Sequence, residues 1–502
     1  MNSEKYSKLQ NGSDIRGIAL EGIPGEDITL TTKEAGAIGL GFARWLGKTL
    51  GLPSQDLRLA IGRDSRNSGP ALKEAFIAGV ESTGAHITDC GLATTPAMFM
   101  ATIFPEFACH GTIMITASHL PWNRNGFKFF DKNGGLQKED ITEILKLAAR
   151  TSEDIQVDPS AITPSDPSLM TLYGSHLRKI IADALPQRED NLPLSCLKIA
   201  VDAGNGCGGF YATNVLEPLG ADISASKYLE PDGSFPNHIP NPENNDAIAD
   251  LVEQVQKTNC DLGLIFDTDV DRSGAVDKLG CPINHDSIVA LAAALVATDY
   301  PGTTVVTDSI TSDHLTEFLE GILQLNHFRY RRGYKNVINK AIELNEKGVD
   351  CQLAIETSGH AAMKENYFLD DGAYLATKIV IRAAQLAAEG KTIDQLLDSL
   401  VLPKESREIR MKITCEEYQE FGDALLKEVK DWAIDKGFQL TSPNYEGVRI
   451  SFPDGWCLLR KSLHEPLMPL NIQSDKEGGS KEIAKILKEF LSRYHDLDTQ
   501  LL

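Results

Sequence analysis

The sequence predicts an α/β protein: three related α/β domains with mixed sheets, followed by a C-terminal α+β domain, arranged around a central cleft. Three observations lead there. The chain has 502 residues, more than a single hydrophobic core accommodates. Brief apolar, β-branched runs alternate with polar loops and helix-like stretches, the pattern of buried parallel strands in α/β units. The last hundred or so residues (~100) change texture, with charged helices flanking alternating strands, as in a separate α+β domain.

Taken in order, residues 57–61 (LRLAI) read as a strand entering the polar loop GRDSRNSGP, and residues 71–80 as the helix that follows. Residues 112–115 (TIMI) run into TASHLP. Residues 197–201 (LKIAV) precede DAGNGCGG, a glycine-rich loop that could cradle a phosphate. Residues 262–266 (LGLIF) run into DTDVDR, 303–306 (TTVV) into TDSITSD, and 352–355 (QLAI) into ETSGH. Ligands of open α/β sheets bind beyond the carboxyl ends of strands. The loops after 115, 266 and 355 therefore suggest one functional loop per unit. Residue identity between the units is negligible, so the repeat is one of pattern only. The C-terminal part reads as helix 416–436, strands 447–452 and 456–460, and helix 481–491. The Pro/Ser-rich stretch 158–168 (DPSAITPSDPS) marks a linker, and further boundaries fall near 284–287 and 403–407. The expected domains are 1–165 with the serine loop, 166–286 with the acidic loop, 287–405 with a third polar loop, and 406–502 with a fourth.

Composition narrows the function. A hydrophobic fraction of 42% with 24% charged residues is that of an ordinary globular protein. The formal net charge of −22 argues against nucleic acid and against an anionic membrane surface as partners. It leaves room for a small anionic ligand, because clustered Arg and Lys dominate at short range. The nine cysteines are scattered and form no CxxC pair, which fits a reducing compartment and no zinc or disulfide framework. The first residues, MNSEKYSKLQNGSD, lack an apolar signal core, and the longest apolar stretch, 288–297, is too short to span a bilayer. A cytoplasmic location is expected.

Two loops carry chemistry. In Asp267-Thr268-Asp269-Val270-Asp271-Arg272, alternation along an extended backbone would place the three carboxylates on one face. An oxygen-only set suits Mg²⁺, Mn²⁺ or Ca²⁺. A calcium-binding EF-hand loop is excluded, since its sixth and twelfth positions would be Arg272 and Lys278 rather than Gly and Glu. LIFDTDVD partly resembles the nucleophile motif of haloacid-dehalogenase phosphatases, with Asp267 attacking, but Asp271 stands where Thr or Val is expected. The second loop is Thr116-Ala117-Ser118-His119-Leu120-Pro121, followed by Asn125-Gly126-Phe127-Lys128. A serine at a strand end beside a histidine and near a lysine has the parts for phosphoryl transfer: a hydroxyl to carry the group, and bases to move its proton.

Together these loops resemble the α-D-phosphohexomutase superfamily. TASHLP is similar to its phosphoserine loop and DTDVDR to its metal loop. Ile355-Glu356-Thr357-Ser358-Gly359-His360 is similar to its sugar-binding loop, and Arg460-Lys461-Ser462-Leu463-His464-Glu465-Pro466 to its phosphate loop. They occur in the family order, one per expected domain. Ser13–Gly17, PDGSFPNHIPNP and Gly333-Tyr334-Lys335-Asn336 match as well. The resemblance implies a phosphate on Ser118 and Mg²⁺ held by Asp267, Asp269, Asp271 and an oxygen of phospho-Ser118. It implies support from Arg272, with Lys128 and His119 as acid/base candidates. Glu356 and Ser358 would hold sugar hydroxyls, with His360 beside them. Arg460, Ser462 and His464 would grip the non-reacting phosphate, and Arg16 and Lys335 would be further basic positions. The implied partners are hexose phosphates and hexose bisphosphates.

Three departures stand out: Leu120 for Asn in the serine loop, Ile355 for Gly in the sugar loop, and Leu463-His464 for Gly-Thr in the phosphate loop. The last removes a flexible backbone position and a hydroxyl donor. A looser hold on the bisphosphate intermediate would favour a glucose 1,6-bisphosphate synthase, charged by fructose 1,6-bisphosphate, over an ordinary mutase. A non-catalytic sugar-phosphate binder is a third reading.

Overall fold

The computed structural model describes residues 2–150, 155, 164–187, 191–462 and 465–502. Most of the predicted linker, residues 158–163, lies outside the described residues, as do Leu463 and His464. The chain forms two compact units: Met1–Asn284 with Ser358–Leu396, and His285–Thr357 with Leu397–Leu502.

The first unit holds a mixed sheet in the order Gln10–Asn11, Asp14–Ile18, Arg124–Asp131, Gly111–Ile115, Arg58–Arg63, His86–Leu92. The last three strands are parallel and the others antiparallel. Gly111–Ile115 is buried along its length, which explains its unbroken apolar sequence. Helices Thr32–Leu50 and Gly69–Glu81 pack on this sheet and on each other. The first starts at a capping box formed by Thr31 and Glu34. Their crossing is close because of two glycines. A Cβ on Gly39 would overlap the carbonyl of Phe76, and one on Gly79 that of Gly36. Phe42, Phe76, Phe127 and Phe129 fill the space beneath, with the Phe42 and Phe129 rings 4.9 Å apart.

A second sheet in this unit runs Pro282–Ile283, Ser273–Asp277, Leu262–Phe266, Ile199–Asp202. Leu262–Phe266 is parallel to Ile199–Asp202 and antiparallel to Ser273–Asp277. Helix Asn245–Thr258 covers it, its Leu251 and Val255 lying against Gly263. The segment after residue 358 adds the antiparallel pair Ala361–Met363 and Leu369–Asp370, then helix Gly372–Ala388. Asp371 caps that helix through the Tyr374 N–H and accepts a 2.7 Å bond from the Tyr173 hydroxyl.

In the second unit Asn326–Arg329, Thr304–Thr307 and Cys351–Ile355 are parallel. Helix Asp286–Asp299 is almost wholly buried there, so its apolar run is core. The C-terminal sheet is antiparallel, in the order Glu405–Lys412, Leu467–Ser474, Gly455–Leu459, Val448–Phe452, Gln439–Leu440. Helices Tyr418–Asp435 and Gly479–Leu491 pack on it around Leu425, Val429, Leu470 and Leu487. Arg449 ties the two segments of this unit together. Fully buried, its guanidinium lies 3.6 Å from the Trp456 ring centroid and donates to Ser309 O (3.1 Å) and Asp313 (3.0 Å).

The architecture is α/β, with mixed sheets and a C-terminal antiparallel sheet flanked by helices. The predicted strands and helices are present, with ends displaced by up to a few residues. The strand placed at 197–201 is Ile199–Asp202, and the helix placed at 416–436 is Tyr418–Asp435.

Candidate active site

Strand Gly111–Ile115 delivers the serine loop. Ser118 adopts φ 49°, a left-handed conformation that costs energy for a residue with a Cβ and that the surroundings must impose. They do so through the backbone. The Thr116 hydroxyl accepts from Ser118 N–H at 2.9 Å. The wholly buried Arg66 donates to the carbonyls of Leu120 (2.6 Å), Pro121 (2.7 Å) and Arg124 (3.0 Å), and to that of Ser118. Asp64, 3.3 Å from Arg66 Nε, balances its charge. Arg16 donates to the Thr116 carbonyl while paired with Asp14 at 2.9 Å.

Strand Leu262–Phe266 delivers the acidic loop. Asp267, Asp269 and Asp271 are buried, with carboxylate oxygens within 4.8 Å of one another. The route to this convergence differs from the sequence expectation. Residues 267–271 form a turn rather than an extended stretch, and Val270 takes φ 66°; folding back, not strand alternation, brings the carboxylates together. Asp269 Oδ1 and Asp271 Oδ1 are buried without a hydrogen-bond partner. Unmatched carboxylate oxygens in an all-oxygen set fit a hard divalent cation. The other charges are organised around them. Lys128 bonds Asp269 at 3.1 Å and also Asp271. The Thr95 hydroxyl donates to Asp269 Oδ2 at 2.5 Å, and the Thr95 N–H to the Asp269 carbonyl at 2.9 Å.

The two loops meet at Ser118. Its hydroxyl donates to Asp267 Oδ2 at 2.9 Å, and Arg272 Nη2 donates back to Ser118 Oγ at 2.9 Å. Arg272 also holds Asp267 Oδ2 through Nη2 (2.9 Å) and Nε (3.1 Å), and reaches His119 Nδ1 at 2.7 Å. His119 is exposed, and the positive charge of Arg272 pushes its pKa well below the usual value. That shift favours the neutral ring. With Nδ1 accepting from Arg272, its proton sits on Nε2. Burial, reinforced by Asp271, pushes the Asp267 carboxyl up. Asp271 is held down in spite of burial by Lys128, His360 and Arg272. His360 bonds Asp370 at 2.5 Å and lies 3.9 Å from Asp271. Burial works against its charge, but the two carboxylates raise it to about 9. Gly359 brings it there at φ 90°, packed on the Ser273 carbonyl where no Cβ fits.

The other predicted residues lie in the second unit, except Ser358, which belongs to the first. Glu356, at the end of Cys351–Ile355, accepts from Gly333 N–H at 2.6 Å. Thr357 donates to the buried Asp308 at 2.9 Å, whose pKa rises to about 8 through burial and the nearby Glu356. Lys335 lies in the first turn of helix Tyr334–Glu346. Arg460 follows strand Gly455–Leu459 and is buried, and Ser462 Oγ accepts from Glu465 N–H at 3.3 Å. Ser358 is buried, with its Oγ unpartnered. His464 lies outside the described residues.

Sequence reasoning missed Arg66, Thr95 and Asp370. Arg66 stands in the loop GRDSRNSGP, already marked as a polar strand-end loop, and that position was the available signal. Thr95 and Asp370 carry no local motif.

Comparison with known proteins identifies the family of the chain. Residues 7–154, 173–280 and 284–403 match, in order, the family models for phosphoglucomutase/phosphomannomutase α/β/α domains I, II and III. Three such domains define a phosphotransferase of the mutase class. A phosphomannomutase/phosphoglucomutase of Pseudomonas syringae pv. tomato is 30% identical over 465 residues, covering 91% of this chain and 92% of the relative. A phosphoglucomutase/phosphomannomutase of Thermococcus kodakarensis is 30% identical over 501 residues, with 96% and 99% covered. The crystal structure of a phosphoglucomutase/phosphomannomutase family protein from Burkholderia thailandensis shares the fold, with a TM-score of 0.76 at 24% identity over 97% of both chains. The chain belongs to the phosphoglucomutase/phosphomannomutase family. Among the described residues, no helix is long and apolar enough to cross a membrane.

Proposed function

We propose that this enzyme interconverts hexose 1-phosphate and hexose 6-phosphate, glucose phosphates foremost, through phospho-Ser118 and a hexose 1,6-bisphosphate. The observation that carries this reading is the Ser118 hydroxyl bonded to both Asp267 and Arg272 at 2.9 Å, beside a buried aspartate triad. In the first transfer the Ser118 Oγ–P bond breaks as a sugar hydroxyl oxygen bonds to phosphorus, and the hydroxyl proton passes to the serine oxygen. The second transfer reverses this with the other phosphate. Arg272 steadies the serine oxygen and Asp267 together, so that the nucleophile is positioned before substrate arrives. Lys128 and His119 are the proton-transfer candidates. Lys128 Nζ donates to two carboxylates, and the positive charge of Arg272 holds the His119 pKa well below its usual value.

Asp267, Asp269 and Asp271 would hold a divalent cation, Mg²⁺ by preference, which when bound neutralises charge on the phosphoryl oxygens. Glu356 and Ser358 are assigned to sugar hydroxyls, with His360 beside them. Arg460, Ser462 and His464 are assigned to the non-transferring phosphate, and Arg16 and Lys335 supply further positive charge. Domain limits at 1–165, 166–286, 287–405 and 406–502 belong to the same proposal, as does a cytoplasmic location.

A second reading, glucose 1,6-bisphosphate synthesis with fructose 1,6-bisphosphate as donor, is favoured by one observation: Leu463-His464 replace the Gly-Thr of the phosphate loop. Phosphorus NMR on glucose 1-phosphate, with and without fructose 1,6-bisphosphate, tests both. Rapid appearance of glucose 6-phosphate without accumulating bisphosphate supports the mutase. Stoichiometric bisphosphate release that depends on the donor supports the synthase, and no conversion in either arm contradicts both.

A further inference from the structure

Glu446 stands in the turn between strands Gln439–Leu440 and Val448–Phe452 and belongs to none of the motifs of the sequence. The turn is stiff. Asn444 Nδ2 donates to the Gly447 carbonyl at 3.0 Å, and Gly447 takes φ 57° against the Leu459 carbonyl, which a Cβ would overlap. From this base Glu446 Oε2 takes two donors from the other segment of the second unit: the hydroxyl of the buried Ser309, and the Arg332 N–H at 3.1 Å. Each donor leads to Glu356. On one side, strands Thr304–Thr307 and Cys351–Ile355 run parallel with Thr307 opposite Ile355, so Asp308 and Glu356 emerge side by side. Ser309 follows Asp308, and Asp308 accepts from the Thr357 hydroxyl at 2.9 Å. On the other side, the next amide after Arg332, Gly333 N–H, donates to Glu356 Oε1 at 2.6 Å. Consecutive amides are thus held by two different carboxylates, just ahead of helix Tyr334–Glu346, where negative charge is favoured. Gly333 adopts φ 112° in this turn, and Asn336 Nδ2 closes it on the Arg332 carbonyl at 2.6 Å.

We propose that Glu446 is a positioning residue for Glu356: a single oxygen of Glu446 fixes both flanks of that carboxylate, so the C-terminal segment sets where Glu356 points. The inference rests on reading Glu356 as a ligand of sugar hydroxyls and adds what aims it. A carboxylate that distinguishes hydroxyl positions must be held closely by its surroundings, because small displacements misalign its hydrogen bonds. Without Glu446, the Ser309 hydroxyl and the Arg332 N–H lose this acceptor, the turn at Gly333 loosens, and Glu356 loosens with it. Arg449 also holds the Ser309 carbonyl, at 3.1 Å, so the Gly333 flank depends on Glu446 most. The Glu446 charge reaches Arg460 as well, whose pKa burial and Arg332 lower while Glu446 and Glu408 raise it. Two variants separate that charge from the hydrogen bonds. Ser309→Ala removes a bond and keeps the charge, and Glu446→Gln keeps an acceptor and removes the charge.

The test uses the full chain and two readouts. Amide exchange at Arg332 and Gly333, followed by NMR, reads the turn. Calorimetric titration with glucose 1-phosphate and with inorganic phosphate reads the site. In Glu446→Ala the Gly333 amide is expected to exchange about fivefold faster or more. Glucose 1-phosphate should bind about three- to tenfold more weakly, the scale of a lost hydrogen bond, while inorganic phosphate binds no more weakly than to the parent. Ser309→Ala should move exchange and glucose 1-phosphate affinity in the same direction by less. Glu446→Gln should return both to within about twofold of the parent, since an acceptor remains. In a Glu356→Gln background, Glu446→Ala should leave glucose 1-phosphate affinity unchanged, the mark of an effect that passes through Glu356. Thermal melts confirm folding of each variant. The proposal is overturned if Gly333 exchange is the same in Glu446→Ala and the parent, or if Glu446→Ala weakens glucose 1-phosphate binding equally with and without Glu356. Faster Gly333 exchange in Glu446→Ala, in a protein whose parent binds no glucose 1-phosphate, supports Glu446 as the residue that sets the turn and removes the sugar reading of Glu356.

Discussion

At the residue scale the site depends on a few side chains that each satisfy several partners. Arg66 is the clearest, since four carbonyls of the segment 118–124 end on one buried guanidinium. Arg66→Met strands those carbonyls and the Asp64 carboxylate, and is predicted to cost about 3 kcal/mol or more of stability, read by urea denaturation. It should also slow phosphorylation of Ser118, and Arg66→Lys should rescue little, because a single ammonium does not span the fork. His360 gives a pH prediction. Its folded pKa of about 9 stands above the ordinary 6.5. The folded state therefore holds the proton more tightly. The stabilisation is complete below about 6.5 and is lost as pH rises through about 9. In metal-free protein, ¹⁵N NMR should give a His360 midpoint near 9, moving downward in Asp370→Asn; a midpoint near 6.5 in the parent would contradict the Asp370–His360 assignment. The residues named by the motifs were legible because the serine and acidic loops each carry their chemistry within six consecutive positions. Arg66 and Asp370 were not legible, since their partners lie 52–58 and 10 residues away and leave no local pattern.

At the element scale, strands ending in polar loops were readable from the chain. Gly111–Ile115, Leu262–Phe266 and Cys351–Ile355 are fully buried, and burial makes a strand's sequence uniformly apolar. The shape of the acidic loop was not readable, because Val270 in a left-handed turn has no signature in its side chain. The close approach of helices Thr32–Leu50 and Gly69–Glu81 was equally hidden, although Gly39 and Gly79 make it possible. Gly79→Val is predicted to destabilise the protein by about 1–3 kcal/mol through overpacking against the Gly36 carbonyl. The shift of the denaturation midpoint measures it, and Gly84→Ala, with open space around the Cβ, serves as a comparison for strain without overpacking. An unchanged midpoint in Gly79→Val would mean that the helices are free to separate.

At the scale of the whole molecule, two compact units are each assembled from two stretches of chain, so each must bring distant segments together. In the second unit Arg449 does this, joining Val448–Phe452 to Ser309 and Asp313. Arg449→Met should raise amide hydrogen exchange in residues 285–357 and 397–502 while leaving residues 2–150 at the parent rate, as peptide-level mass spectrometry would read. The central claim concerns the intact chain. Ser118, bonded to Asp267 and Arg272, is proposed to carry the phosphoryl group. The direct measurement is intact-mass spectrometry after incubation with glucose 1,6-bisphosphate and Mg²⁺, with the modified peptide sequenced. The account predicts a gain of one phosphoryl group, located on Ser118, absent from Ser118→Ala and discharged by glucose 1-phosphate. A chain that gains no phosphoryl group, or gains it equally in Ser118→Ala, would contradict it.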